Sequence, residues 1–196
     1  MIKVLVTGMS GTGKSALLAE LAGRGHRAVD TDYGDFYETV GGERLWRADK
    51  VSALLDSAPD DQPGVLFVQG TTRNQGLFYP RFQHIVLLSA PPEVLIERLA
   101  ARTTNPYGKN PAELAAILRD QQAVEPLLRA SATLEVVTTI PVSQVADVIV
   151  QHVAARLASP AERLEPEVGG VGDDVDLVAE GPLGGPRRQH VRHRLG

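Results

Sequence analysis

Short apolar runs and longer amphipathic stretches alternate along residues 1–158. Residues 2–7, 27–30, 64–70, 84–90 and 134–139 are short, largely apolar and rich in β-branched side chains. Runs that are apolar on both faces suit strands buried within a parallel sheet. Between them lie stretches with helical spacing. Residues 15–22 place Leu17, Leu18 and Leu21 on one face, and residues 93–102 follow a Pro-Pro start. Residues 111–129 open with Asn110 as N-cap and Pro111 at the first helical position, and residues 142–157 close the pattern. Five strands alternating with helices predict an α/β layered fold with right-handed crossovers.

The pattern stops near Leu157. Residues 159–196 are rich in Gly and Pro, lack aromatic side chains, and run from acidic (Glu162 to Glu180) to basic (Arg187 to Arg194). Such a segment buries too little apolar surface to offset its ordering entropy, which predicts a disordered tail behind a domain spanning 1–158. The 196 residues carry 20 Lys+Arg against 24 Asp+Glu, a net charge of −4, so no basic footprint points to nucleic acid. With no cysteine, disulfides, thiolate metal sites and a cysteine nucleophile are excluded. The apolar runs fall far short of the ~20 residues that span a bilayer, and no basic-then-apolar leader opens the chain. The expectation is a soluble, cytoplasmic protein, monomeric or homodimeric.

The decisive motif is Gly8-Met9-Ser10-Gly11-Thr12-Gly13-Lys14-Ser15, which fits G-x-x-x-x-G-K-[ST] between an apolar strand and an amphipathic helix. A polyphosphate needs several backbone N–H groups converging on its oxygens, and Gly8, Gly11 and Gly13 permit the turn that brings them there. The helix beginning near Ser15 turns its positive end to the same place. Gly8, Ser10, Gly11, Thr12, Gly13, Lys14 and Ser15 are therefore expected to bind ATP, with Lys14 on the β/γ oxygens and the Ser15 hydroxyl on Mg²⁺.

Other segments narrow the chemistry. No Asn-Lys-x-Asp guanine reader occurs, and the third strand ends in Gln69-Gly70-Thr71-Thr72 rather than in paired acids. Asp30-Thr31-Asp32 follows the second strand, at the sheet edge where ligands of open α/β folds bind. One carboxylate can hold the Mg²⁺ water shell while the other accepts a hydroxyl proton. Arg98, Arg102 and Lys109 flank residues 103–108, the composition of a lid closing over a triphosphate. The polar loop 69–76, with Gly70 and Arg73, suits contacts to a hydroxylated or anionic acceptor. Tyr33, Phe36, Tyr37 and Trp46 cluster after the second strand, where half-buried packing is favoured over stacking on a planar acceptor.

Gly8–Ser15, Asp30-Thr31-Asp32, Gly42-Glu43-Arg44-Leu45-Trp46-Arg47 and Glu97-Arg98…Arg102-Thr103 together resemble the shikimate kinase and gluconate kinase branch of the nucleoside-monophosphate-kinase-like P-loop proteins, of AAA type. The resemblance covers residues 2 to about 157. It implies a P-loop NTPase three-layer sandwich with a five-stranded parallel sheet of order 2-3-1-4-5. It further implies that Asp30 serves the metal and Asp32 the acceptor, that Arg47 holds an acceptor carboxylate, that Arg102 lies near adenine, and that Thr139, in the loop after the last strand, passes the base. The chain departs from shikimate kinases after the third strand, where Gln69-Gly70-Thr71 replaces three glycines, and in the lid, where Lys109 stands for a second Arg.

The resulting expectation is an ATP- and Mg²⁺-dependent phosphotransferase acting on a hydroxyl of a small polar metabolite. Lys14, Asp32, Arg102 and Lys109 carry the transfer, Ser15 and Asp30 hold the metal, and Asp32, Arg47, Gly70 and Arg73 meet the acceptor. The rival is a nucleotide-binding regulatory ATPase that transfers phosphate only to water.

Overall fold

A computed structural model describes residues 1–101, 103 and 108–158. Arg102, the centre of the expected lid (104–107) and the segment 159–196 lie outside the described residues. In chain order the elements begin with β1 (Ile2–Thr7), α1 (Lys14–Gly23) and β2 (Arg27–Asp30). A hairpin follows, β3 (Tyr37–Val40) and β4 (Glu43–Trp46), then α2 (Ala48–Asp56) and β5 (Val65–Gln69). After a 3₁₀ segment, Gln75–Arg81, come β6 (His84–Ser89), α3 (Pro92–Ala101), α4 (Pro111–Ser131), β7 (Leu134–Val137) and α5 (Val142–Ala158).

The main sheet is parallel, in the spatial order β2-β5-β1-β6-β7. Counting its five strands alone gives 2-3-1-4-5, the order the resemblance implies. Strand β1 shows why the runs are apolar at consecutive positions. Val4 and Val6 pack with Leu17 and Leu21 of α1 and Ile149 of α5, whereas Leu5 packs with Trp46, Leu55 and Leu66. Successive side chains enter opposite layers, so both faces must be apolar. Asn110 caps α4, its side chain accepting from Ala112 N at 2.8 Å, with Pro111 next.

The apolar pattern does not predict the hairpin or α2. Gly41 (φ 60°) and Gly42 (φ 82°) form the hairpin turn, both in the left-handed region that a two-residue type I′ connection requires. The hairpin is fastened to the end of β5. Trp46 N donates to Asn74 Oδ1 (3.0 Å), Asn74 Nδ2 donates to Trp46 O (2.8 Å), and Thr72 Oγ1 donates to Arg44 O (3.0 Å). The Trp46 ring is buried, and its indole N–H donates to Thr31 Oγ1 at 2.9 Å. Trp46 is thus core, Phe36 and Tyr37 pack against that core, and Tyr33 is exposed.

Gly70 lies beneath this ring. A Cβ there would overlap Trp46 Cζ2 and stand 2.6 Å from Thr31 Oγ1. Gly70→Ala is therefore expected to destabilise the fold by about 1–3 kcal/mol through overpacking. The fluorescence of Trp46, the chain's single tryptophan, reports the denaturant midpoint. An unchanged midpoint would show that the ring yields freely.

Candidate active site: a phosphate loop facing paired carboxylates

The loop between β1 and α1 owes its shape to glycine. Gly8 (φ 147°), Gly11 (φ 89°) and Gly13 (φ 92°) all adopt conformations that side chains disfavour. At Gly8 a Cβ would overlap Leu88 O, so the turn must pass tight against β6. Thr12 is buried and braces the loop from within, its Oγ1 donating to Met9 O at 2.8 Å. Thr71 clamps the loop's entrance, donating to Gly8 O (2.8 Å) and accepting from Gly8 N (3.2 Å). Helix α1 starts at Lys14 without a side-chain cap on its first amides. Those amides can therefore meet an anion. Lys14 Nζ donates to Gly8 O (2.6 Å) and Met9 O (3.1 Å), which holds its charge over the loop.

Strand β2 brings the acids to this loop. Ser15 Oγ donates to Asp30 Oδ2 at 3.0 Å, joining the two expected metal ligands. Asp32 N donates to Asp30 Oδ1 (2.9 Å), folding the segment so that both carboxylates are neighbours. Asp32 Oδ1 accepts from Tyr37 Oη at 3.3 Å. Burial pushes the Tyr37 hydroxyl above its ordinary value, opposed by a hydrogen bond with Thr31, so it remains a donor to Asp32 at neutral pH. Beside them lies a cavity of about 500 Å³, lined by Lys14, Ser15, Asp32, Tyr33, Arg44 and Arg98 among others. A second, apolar cavity of about 250 Å³ adjoins it, bounded by Leu17, Thr138, Ile140, Val142 and Val145.

The donors fit a polyphosphate and a hard divalent cation. A hydroxyl and one carboxylate are the oxygen ligands Mg²⁺ takes when phosphates and water complete its shell. Among the described residues there is no group of three or more His, Cys, Asp or Glu that could hold a metal ion.

The expected acceptor group is brought together only in part. Arg47 turns away: its guanidinium pairs with Asp49 (3.2 Å) and Asp35 (2.7 Å), which hold it above its ordinary pKa, and it does not line the cavity. Arg73 is exposed and pairs with Glu43 (2.7 Å), bracing the hairpin. Gly70 is covered by the Trp46 ring. Arg44, by contrast, lines the cavity, stacked 3.8 Å over the Tyr37 ring with Nη1 3.9 Å from Asp32 Oδ1. Its signal in the sequence was the Gly42–Arg47 segment itself, which holds two arginines.

Around the nucleotide side, Thr139 is exposed beside Ile140 in the loop after β7. Lys109 is exposed and off both cavity walls. Arg98 bounds both cavities, donating to Thr138 Oγ1 (2.9 Å) and Gly11 O (3.5 Å). It ties α3 to the phosphate loop and to the loop after β7, a position its place on α3 did not reveal.

The sheet order, the glycine loop and the acids at the carboxyl edge define a P-loop α/β domain. The chain belongs to the AAA domain family, whose model matches residues 4–119. No curated protein matches the sequence. Among solved structures, it is similar to shikimate kinase from Acinetobacter baumannii, with 16% identity, 80% of this chain and 94% of that one covered, and a TM-score of 0.55. It is also similar to a sugar kinase from Janibacter sp. HTCC2649, with 18% identity, 81% and 97% covered, and a TM-score of 0.52. The shared feature is the fold. No helix among the described residues is long and apolar enough to cross a membrane.

Proposed function

We propose that residues 1–158 form an ATP-dependent phosphotransferase that moves the γ-phosphoryl group to a hydroxyl of a small polar metabolite. The observation that carries this reading is the Asp30–Ser15 contact, which sets a carboxylate pair against the phosphate loop, with Ser15 and Asp32 lining one cavity. The acceptor hydroxyl oxygen attacks the γ-phosphorus, the bond to the β-bridging oxygen breaks, ADP leaves, and the hydroxyl proton passes to Asp32. Lys14 and the loop amides position the phosphates and neutralise charge on the transferred group. Ser15 and Asp30 would hold Mg²⁺, which lowers the repulsion the attacking oxygen meets. The apolar cavity beside Ile140 receives the base. The kinase names of the fold's relatives support the same reading.

Incubating the purified chain with Mg²⁺, ATP and a panel of sugar acids, hydroxy acids, nucleosides and hydroxylated antibiotics tests it. The expected result is ADP release that depends on one acceptor class and on Lys14. Phosphate appearing only in water, whatever the acceptor, would support a regulatory ATPase instead.

Arg44 is the cation that the hairpin presents beside Asp32. Arg44→Ala is expected to raise the acceptor KM about tenfold with the ATP KM unchanged, the cost of one charged hydrogen bond. Arg47→Ala should leave both KM values within about twofold, because its partners are Asp35 and Asp49. The reverse ranking of the two variants would restore Arg47 as the acceptor contact.

A further inference from the structure

Asp30 and Asp32 share a neighbour at the end of β5. Gln69 is fully buried, and its Nε2 donates both to Asp30 Oδ1 and to Asp32 Oδ2, the latter at 3.1 Å. Its backbone reaches the residue between them: Gln69 O accepts from Thr31 N (3.2 Å) and Thr31 Oγ1 (2.7 Å). In the ladder, Gln69 stands opposite Asp30. One residue therefore ties down all three members of Asp30-Thr31-Asp32.

The chemistry of the side chain restricts what else could do this. Two neighbouring carboxylates repel, and each needs a donor. A carboxamide offers two N–H groups on one nitrogen and carries no charge. Its orientation is fixed, because the opposite one would set Oε1 against both acids. Glutamate would add a third negative charge, and an apolar side chain would leave two acids without their donor. With both N–H groups engaged, Oε1 is buried without a hydrogen-bond partner among the described residues. A buried acceptor of this kind is costly to leave unsatisfied.

We propose that Gln69 is a positioning residue for the divalent cation. It holds Asp30 toward Ser15 and fixes Asp32 beside it, so the metal–nucleotide complex and the acceptor hydroxyl meet one preset geometry. The proposal rests on the metal role given to Ser15 and Asp30.

Manganese serves as the probe, with free Mn²⁺ followed by electron paramagnetic resonance in the presence of ADP and the full chain. The wild type should bind Mn²⁺ more tightly than ADP alone does. Gln69→Met keeps the volume and removes the donors; it is expected to weaken Mn²⁺ binding in the ADP complex by about tenfold or more. Its affinity for ADP in EDTA should stay within about twofold of wild type. Gln69→Asn keeps the amide but shortens its reach, and should lose about threefold or more, which serves if the Met variant does not fold. Thermal melts identify the folded variants. Wild-type Mn²⁺ affinity in every folded variant overturns the proposal. So does an equal loss of Mn²⁺ and metal-free ADP affinity, the mark of general structural damage. A wild type that binds no Mn²⁺ beyond ADP alone removes the metal role of Ser15 and Asp30 as well, which separates the two failures.

Discussion

Lys14→Ala is expected to lower phosphoryl transfer by about 10³-fold or more. The ammonium donates to Gly8 O and Met9 O, which holds its charge at the loop where the proposed function sets the phosphates. Its charge opposes the repulsion between phosphate oxygens, and that repulsion grows as the γ-group detaches. Because the benefit is greatest in the transition state, kcat should fall further than ATP affinity. Lys14→Arg should rescue little, because a planar fork cannot occupy the place of a compact ammonium. Steady-state ADP release with calorimetric nucleotide affinity separates the two effects. A Lys14→Ala variant within about tenfold of wild type would remove the loop from the chemistry.

Asp32→Asn is expected to reduce kcat by about 10²–10⁴-fold, the range for loss of a positioned general base. The substitution keeps the shape. The introduced amide would retain an oxygen for the Tyr37 hydroxyl or the Gln69 amide, which Asp32 meets now at 3.3 and 3.1 Å. It would lose the capacity to take a proton. The MgATP KM should stay within a few-fold, since Asp30 rather than Asp32 contacts Ser15. Asp30→Asn makes the contrast, raising the Mg²⁺ concentration needed for half-maximal rate. Rapid-quench measurement of a single turnover reads the chemical step directly. Equal behaviour of the two variants would mean that the carboxylates do not divide their roles.

The phosphate loop and the sheet were legible in the sequence for a shared reason: each answers to one rigid demand. A polyphosphate requires glycines and a lysine at fixed intervals, and a strand buried on both faces admits only apolar neighbours. The hairpin answers to neither. Residues 38–44 are exposed, so β3 and β4 show no alternation between an inner and an outer face. What holds the hairpin is distant in sequence: Asn74 gripping Trp46, and the Trp46 ring over Gly70. Helix α2 was equally silent, because only Val51 and Leu55 of its nine residues are buried. The same gap hid which arginine of the segment would face the cavity. Arg44 lies within β4 and follows its face toward Tyr37, whereas Arg47 is the N-cap residue of α2 and turns to the acids at 35 and 49. The two arginines are near neighbours in sequence; the end of a strand decides between them.

The hairpin of residues 37–46 is a two-stranded ribbon that pairs with no strand of the main sheet. On the proposed function, the exposed tip, residues 38–43, can vary without disturbing Asp32, whereas Tyr37 and Arg44 contact it. A graft of another tip that keeps Tyr37, Arg44 and the Trp46 and Asn74 docking points would, on that reading, present a different surface to the acceptor. On that reading, inheritance of the reaction and inheritance of its target would be separable at the ribbon's tip.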